Sequence, residues 1–243
     1  MKLPPLKTQL IIYLACFSAF LFLKDKNIAF LFTIFLSVIA ALGFESIFYF
    51  LKNKAFIFSE SAVISGLIIG LVLSSDTPWW ILVIACLFAI GSKYLIRFRQ
   101  RHIFNPAALG IFLVTVIFGV YTQWNGAYQW YILAPVGLYF ISKIRKLELL
   151  FSYFITALVL FGFESWMQKV PLGNIFGYLN YFFIFIMLIE PKTTPIKSKA
   201  KIIFGVCAAA LIFIFTLFGA RFDVELLSLL IVNITVLFIN KRT

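Results

Sequence analysis

Charge is the first thing this sequence lacks. Its 21 basic and 9 acidic residues make up 12% of 243 positions, where soluble domains run at about 25%. A water-soluble fold of this size could not hide the 63% of residues that are hydrophobic, 31 of them phenylalanine. Histidine is nearly absent, with His102 alone. The three cysteines, Cys16, Cys86 and Cys207, stand singly in separate apolar segments, and no C-x-x-C occurs. Zinc and cysteine-ligated iron–sulfur sites need about four clustered ligands, so this chain by itself supplies neither. There is no Walker loop, no G-x-G-x-x-G, no catalytic triad and no carboxylate dyad. No small-residue cleavage pattern follows the first apolar run, which therefore reads as a retained span.

What is present is a succession of long apolar runs. Ten segments emerge between charged or turn-forming residues: Thr8–Leu23, Asn27–Leu51, Ala55–Leu73, Thr77–Ile96, Ile103–Val120, Ala127–Ser142, Leu147–Phe163, Val170–Ile189, Ile202–Ala220 and Val224–Asn240. They exceed strand length, so helix is the expected state. Ten membrane helices of about 20 residues use roughly 200 positions and leave no room for a soluble domain. Several runs are under 18 residues, which predicts tilted, broken or re-entrant pieces.

The net charge of +12 raises the question of nucleic acid, but the loops answer differently. Placed alternately on two sides, 17 of the 21 basic residues fall on one side: Lys2, Lys7, Lys52, Lys54, Lys93, Arg97, Arg99, Arg101, Lys143, Arg145, Lys146, Lys192, Lys197, Lys199, Lys201, Lys241 and Arg242. Lys24, Lys26, Lys169 and Arg221 fall on the other, with Asp25, Asp76, Glu164, Asp223 and Glu225. This is the positive-inside pattern. It predicts ten spans in the cell (inner) membrane, both termini cytoplasmic, a lipid bilayer as partner and no nucleic acid. Trp79, Trp80, Trp124 and Trp130 fit an outer interfacial belt.

The expected fold class is an all-α polytopic membrane protein, a single integral membrane domain over 1–243. A faint duplication suggests two inverted five-helix repeats, 8–120 and 127–240. Thr77-Pro78 and Thr194-Pro195 occupy matching places, Asn105 lies 27 residues past Pro78, and Asp223 lies 28 past Pro195. Both Asn105 and Asp223 are capping residues ahead of a final apolar run, and five spans per half would invert the halves.

Three stretches could carry chemistry. Asn105 can cap a helix that starts with Pro106, and Arg97, Arg99, Arg101 and His102 precede it. A helix N-terminus beside arginines suits an anion or polar ring; a plain cytoplasmic loop explains the same residues. Ser59-Glu60-Ser61 puts an acid about 9 Å along a helix from Lys54, where it has a function or snorkels to the headgroups. Glu45, at similar depth, is expected to snorkel or to pair with Lys52 or Lys54. Glu190-Pro191-Lys192-Thr193-Thr194-Pro195 ends a helix and sets two hydroxyls between prolines.

Taken in order, Ser59-Glu60-Ser61-Ala62-Val63-Ile64-Ser65-Gly66, Thr77-Pro78-Trp79-Trp80, Phe104-Asn105-Pro106-Ala107-Ala108-Leu109-Gly110 and Glu190-Pro191-Lys192-Thr193-Thr194-Pro195 resemble one membrane family. That family contains the RnfD component of the Rnf electron-transport complex and the NqrB component of the sodium-pumping NADH:quinone oxidoreductase. The resemblance covers roughly residues 58–205. Its last segment has Glu190 where the family pattern Asp-Pro-x-Thr-Ser-Pro has Asp. The resemblance implies two inverted halves, flavin-based electron transfer coupled to sodium or proton movement, and other subunits of a membrane complex as partners. It places flavin (riboflavin or FMN) by Glu60, Ser61, Arg101, Asn105, Pro106, Glu190, Thr193 and Thr194, with no catalytic or metal-binding residue. Family members attach FMN to the threonine of a Ser/Thr-Gly-Ala-Thr motif. The matching loop here, Tyr121-Thr122-Gln123-Trp124-Asn125-Gly126-Ala127-Tyr128, ends Asn-Gly-Ala-Tyr. Covalent FMN is thus not expected; flavin is held non-covalently or has been lost, and Asn125-Gly126 reads as a turn.

Three functions fit: an electron-transfer subunit of an ion-translocating oxidoreductase, a small-solute transporter or channel on the same inverted-repeat fold, and an assembly subunit without cofactor. All three share one topology. Cysteine labelling of intact cells with a membrane-impermeant reagent is expected to reach Trp124→Cys and to spare Lys199→Cys. Equal labelling would eliminate the ten-span arrangement.

Overall fold

Apolar runs without water to solvate their backbone become helices, because a helix satisfies its own N–H and C=O groups. The computed structural model describes residues 4–98 and 101–239, and every regular element among them but one two-stranded ribbon is helical. The expected last-span end at Asn240, and Lys2, Arg99, Lys241 and Arg242 of the charge partition, lie outside the described residues. The elements are α1 (Leu6–Asp25), α2 (Ile28–Asn53), α3 (Glu60–Val72), α4 (Trp79–Leu95), the strands β1 (Arg97–Phe98) and β2 (Arg101–His102), α5 (Pro106–Phe118), α6 (Trp130–Lys143), α7 (Leu147–Met167), a 3-10 turn (Leu172–Gly177), a π-helical turn (Phe183–Met187), α8 (Ser198–Leu217) and α9 (Val224–Ile239).

Among the described residues four helices, α1, α2, α7 and α8, are long and apolar enough to cross a bilayer. The other apolar helices are shorter, as the runs under 18 residues predicted. Helix α3 and helix α5 have 13 residues each, α6 has 14, and 13 residues reach only about 20 Å of a hydrocarbon core of about 30 Å. The eighth expected span, Val170–Ile189, is not one helix. Pro171, Gly173 and Gly177 restrict it first to a 3-10 turn, and only after Asn180 does a short helical turn form, which Pro191 prevents from continuing. Residues 179–189 of this broken segment are all buried.

The chain forms two compact units. The first holds Met1–Arg97 and Pro106–Gly126; the second holds Phe98–Asn105 and Ala127–Thr243. In the first unit α2 packs on α3 and α4, α4 packs on α5, and α1 covers α3. Small residues make these approaches close. A Cβ on Gly66 would lie 2.7 Å from Ser37 O, and one on Gly110 would lie 2.8 Å from Ala89 Cβ, the small-residue contact that draws membrane helices together. In the second unit α7 packs on α8, α8 on α9, and α6 on the π-helical turn and α7. The segment Phe98–Asn105 thus belongs to one unit and the helix it introduces, α5, to the other.

Overpacking a tight site costs about 1–3 kcal/mol. Gly110→Val is therefore expected to lower the melting temperature of the detergent-solubilised protein. Gly43→Ala, where an added Cβ has open space, is the matched control and should leave melting unchanged. Equal melting of both variants would mean that α4 and α5 do not approach at Gly110.

Candidate functional site

Among the sequence-predicted residues, Arg101, Asn105, Glu190, Thr193 and Thr194 fall in the second unit, and Glu60, Ser61 and Pro106 in the first. In the first unit, helix α3 begins only at Glu60, because residues 54–58 are not helical. Glu60 is therefore not a turn deep in a helix beyond Lys54, as its spacing suggested. It sits in the first turn of α3, where a carboxylate complements the helix dipole, and it accepts a 2.6 Å hydrogen bond from Thr8 Oγ1. Ser61 serves a different group: its Oγ and its carbonyl each accept from Lys93 Nζ at 3.3 Å. Lys93, expected at the basic end of the Thr77–Ile96 span, lies inside α4 at 5% exposure. It pairs at 3.3 Å with Glu45, which also accepts from Tyr94 OH at 3.1 Å. Glu45 thus pairs with neither Lys52 nor Lys54, because α2 and α4 pack side by side and a buried carboxylate needs a nearby cation.

In the second unit the ribbon and the Glu190–Pro195 loop come together. Asn105 is 3% exposed, and its Nδ2 points at Met187 O, 3.5 Å away, at the end of the π-helical turn. Helix α5 starts directly after it at Pro106. Glu190 accepts from Thr193 Oγ1 on its carboxylate at 3.2 Å and from Thr194 Oγ1 on its backbone carbonyl at 2.7 Å. Its other carboxylate oxygen is 3.5 Å from His102 Nε2, close enough for charge pairing but without hydrogen-bond geometry. Both threonines are buried. A cavity of about 170 Å³ opens beside them, with Arg101, His102, Lys192 and Asn233 in its wall. Asn233, on α9, is fully buried, and neither its amide nitrogen nor its amide oxygen has a partner among the described residues.

Outer contacts hold the loop in place. Lys146 Nζ donates to Pro195 O. Lys201 Nζ donates to Arg145 O at 2.7 Å and to Glu148 at 2.9 Å, and Ser198 Oγ donates to the same carboxylate at 3.2 Å.

Likeness to known proteins settles the family. The NQR2, RnfD, RnfE family matches residues 6–136 and 127–243. The chain belongs to this family. Several relatives are named as the D-type subunit of an ion-translocating oxidoreductase complex. One from Buchnera aphidicola subsp. Schizaphis graminum is 27% identical over 176 residues, covering 69% of this chain and 47% of the relative. One from Buchnera aphidicola subsp. Baizongia pistaciae is 23% identical over 301 aligned positions, covering 88% of the chain and 85% of the relative. One from Escherichia fergusonii is 33% identical over 101 residues, covering 40% of the chain and 29% of the relative. The chain thus spans about half of the first relative and under a third of the last. The second alignment is longer than the chain itself, so that relative carries internal insertions.

The loop that would carry the family's FMN-attachment threonine has a structural task here. Gln123 N and Trp124 N donate to Val72 O at 2.8 and 3.1 Å, and Asn125 N donates to Leu71 O at 2.8 Å. The Asn125 amide adds bonds to Leu71 O and Leu73 O. These close the carbonyl end of α3, which no further helical turn could satisfy. Gly126 takes φ +76°, and a Cβ there would lie 2.5 Å from Phe17 Cζ, so the turn expected at Asn125-Gly126 accepts only glycine. Tyr128, which ends this loop, is 67% exposed.

Sequence reasoning missed Asn233 and the pairing of His102 with Glu190. A signal existed for each. Asn233 is an amide inside an apolar run, which is costly in a membrane, and His102 is the chain's one imidazole. Their meeting depends on how α9 and the ribbon pack within the second unit, which no local pattern states.

Lys146 makes this region pH-sensitive. Burial pushes its ammonium down to about 8, repulsion from Lys201 and Arg101 acts the same way, and Glu148 opposes them. An unfolded lysine titrates near 10.4. Between these values the unfolded chain binds more protons, so stability rises as pH rises. The melting temperature in detergent is expected to climb from about pH 8 to about pH 10, with no contribution from this group at lower pH. Lys146→Met should remove that climb; an unchanged climb in the variant would assign it to other groups.

Proposed function

We propose that this chain is a membrane subunit of an ion-translocating oxidoreductase complex of the Rnf/Nqr kind, and that it positions a non-covalent flavin for electron transfer. Family membership supports the first part. The observation that carries the second is the buried Asn105 amide, held in the second unit beside the broken segment and the Glu190–Thr193–Thr194 loop. These residues fit the polar edge of a flavin. Asn105 is a buried amide beside the broken segment, Glu190 accepts, and Arg101 supplies positive potential. The cavity of about 170 Å³ is below the roughly 300–1,000 Å³ of small-molecule pockets, so it does not hold the flavin ring.

When bound, flavin supplies one- and two-electron chemistry. The chain's own contribution is orientation and electrostatics. Asn105 would fix the ring through its amide, and Pro106 holds Asn105 at a set backbone position because its φ is fixed. Arg101 favours extra negative charge on a reduced acceptor. Burial of Thr193 and Thr194 keeps bulk water from that side. Glu60 and Ser61, committed to Thr8 and Lys93 in the first unit, are proposed to shape its polar lining. The bilayer and the other subunits of the complex are the partners this reading requires, and the two units are proposed to be inverted copies of one five-helix plan.

A second reading has its own observation. A buried, discontinuous segment such as Tyr181–Ile189 is the form in which transporters present backbone carbonyls to a solute. An absorption spectrum of the purified complex, before and after acid precipitation, separates the two. Flavin released into the acid supernatant is expected. Flavin retained in the pellet would overturn non-covalent binding, and a flavin-free, redox-inactive protein that moves a solute in vesicles would leave the transporter. Asn105→Leu should insert normally and lose bound flavin about tenfold or more, since a buried polar partner is removed. Full flavin content in that variant would take Asn105 out of the site.

A further inference from the structure

The cavity in the second unit is bounded by the ribbon, the Lys192–Thr194 loop and the end of α9. Its wall includes Arg101, His102 and Lys192, and among the described residues no acidic side chain lines it. Thr193 and Thr194 direct their hydroxyl protons away, toward Glu190. Asn233 supplies the independent sign. Its side chain is 0% exposed, lines the cavity, and has neither polar atom bonded among the described residues. An unmet buried amide costs about 1–3 kcal/mol and more in an apolar surrounding, so an asparagine at this place on an apolar helix points to a missing partner.

We infer that this cavity is an oxyanion site that takes a phosphate group. Two exposed cations, Arg101 and Lys192, stand in its wall and are both suited to phosphate oxygens, while His102 faces Glu190, and the Asn233 N–H group completes the donor set from the buried side. The volume fits a compact tetrahedral group better than a ring system. Two sources present that chemistry: a soluble phosphate, and the headgroup of an anionic phospholipid reaching the ribbon. The inference goes beyond the flavin reading and stands without it, because its test contains no flavin.

The full chain in detergent is melted in sodium phosphate, in sodium chloride of equal ionic strength, and in short-chain phosphatidylglycerol. The wild type is expected to gain about 2–4 °C over chloride. A gain with phosphate assigns a soluble ligand; a gain with phosphatidylglycerol alone assigns the headgroup. Asn233→Asp, which sets a carboxylate against the anion, should lose the gain. Arg101→Gln, at an exposed position that leaves packing untouched, should weaken apparent phosphate affinity about tenfold or more and covers the case in which Asn233→Asp does not fold. No gain over chloride with either probe would show a cavity that holds water only and overturn the inference. So would an undiminished gain in Asn233→Asp or in Arg101→Gln.

Discussion

The constraint on which this structure depends is that helix ends inside an apolar medium must find partners for their free backbone groups. Long helices bring their ends to the headgroups, where water does this. Helix α3 and the π-helical turn end among buried residues, where an unmet carbonyl costs several kcal/mol. The polar residues of the chain therefore gather where helices stop. Gln123, Trp124 and Asn125 close α3 from its C-terminal side. Asn180 Oδ1 accepts from Phe183 N at 2.9 Å and opens the short turn, Asn105 reaches its far carbonyl at Met187, and Thr194 takes the carbonyl of Glu190.

This origin explains why the proposed site residues also have structural roles. A chain that breaks its helices in the interior creates carbonyls, amides and side chains with directed bonding capacity, and such places are where membrane proteins hold ligands and ions. The Glu190–Pro195 loop shows the arrangement in one piece. Its prolines stop the helix, its threonines satisfy the glutamate, and Lys146 and Lys201 tie the surrounding turns together from outside. Rigid polar geometry in a dry setting is what an electron carrier or a phosphate group requires of its site.

The loop at Asn125-Gly126 shows the opposite outcome. Its bonds are spent on capping α3, and the loop ends in the exposed Tyr128. The Lys93–Glu45 pair in the first unit is similar in kind: two charges near the ends of α2 and α4 are largely withdrawn from solvent, and Ser61 is spent on accepting from Lys93.

Sequence alone determined that the chain is helical and membrane-like, because apolar content and run length depend only on residue type and order. It placed the start of α5 at Pro106, since proline and its preceding asparagine are local signals, and it marked Asn105, Glu190, Thr193 and Thr194 as a group through a family resemblance. It did not decide which runs cross in full, because apolar composition does not distinguish a crossing helix from a short buried one, and it read residues 170–189 as one run although Pro171, Gly173 and Gly177 break it before Asn180. Tertiary structure decided the partners. Glu45 meets Lys93 across 48 positions, and His102 and Asn233 meet the Glu190 loop only after the ribbon and α9 pack in one unit. Such pairings are set by which helix faces approach, and that is a property of packing in three dimensions, not of any window along the chain.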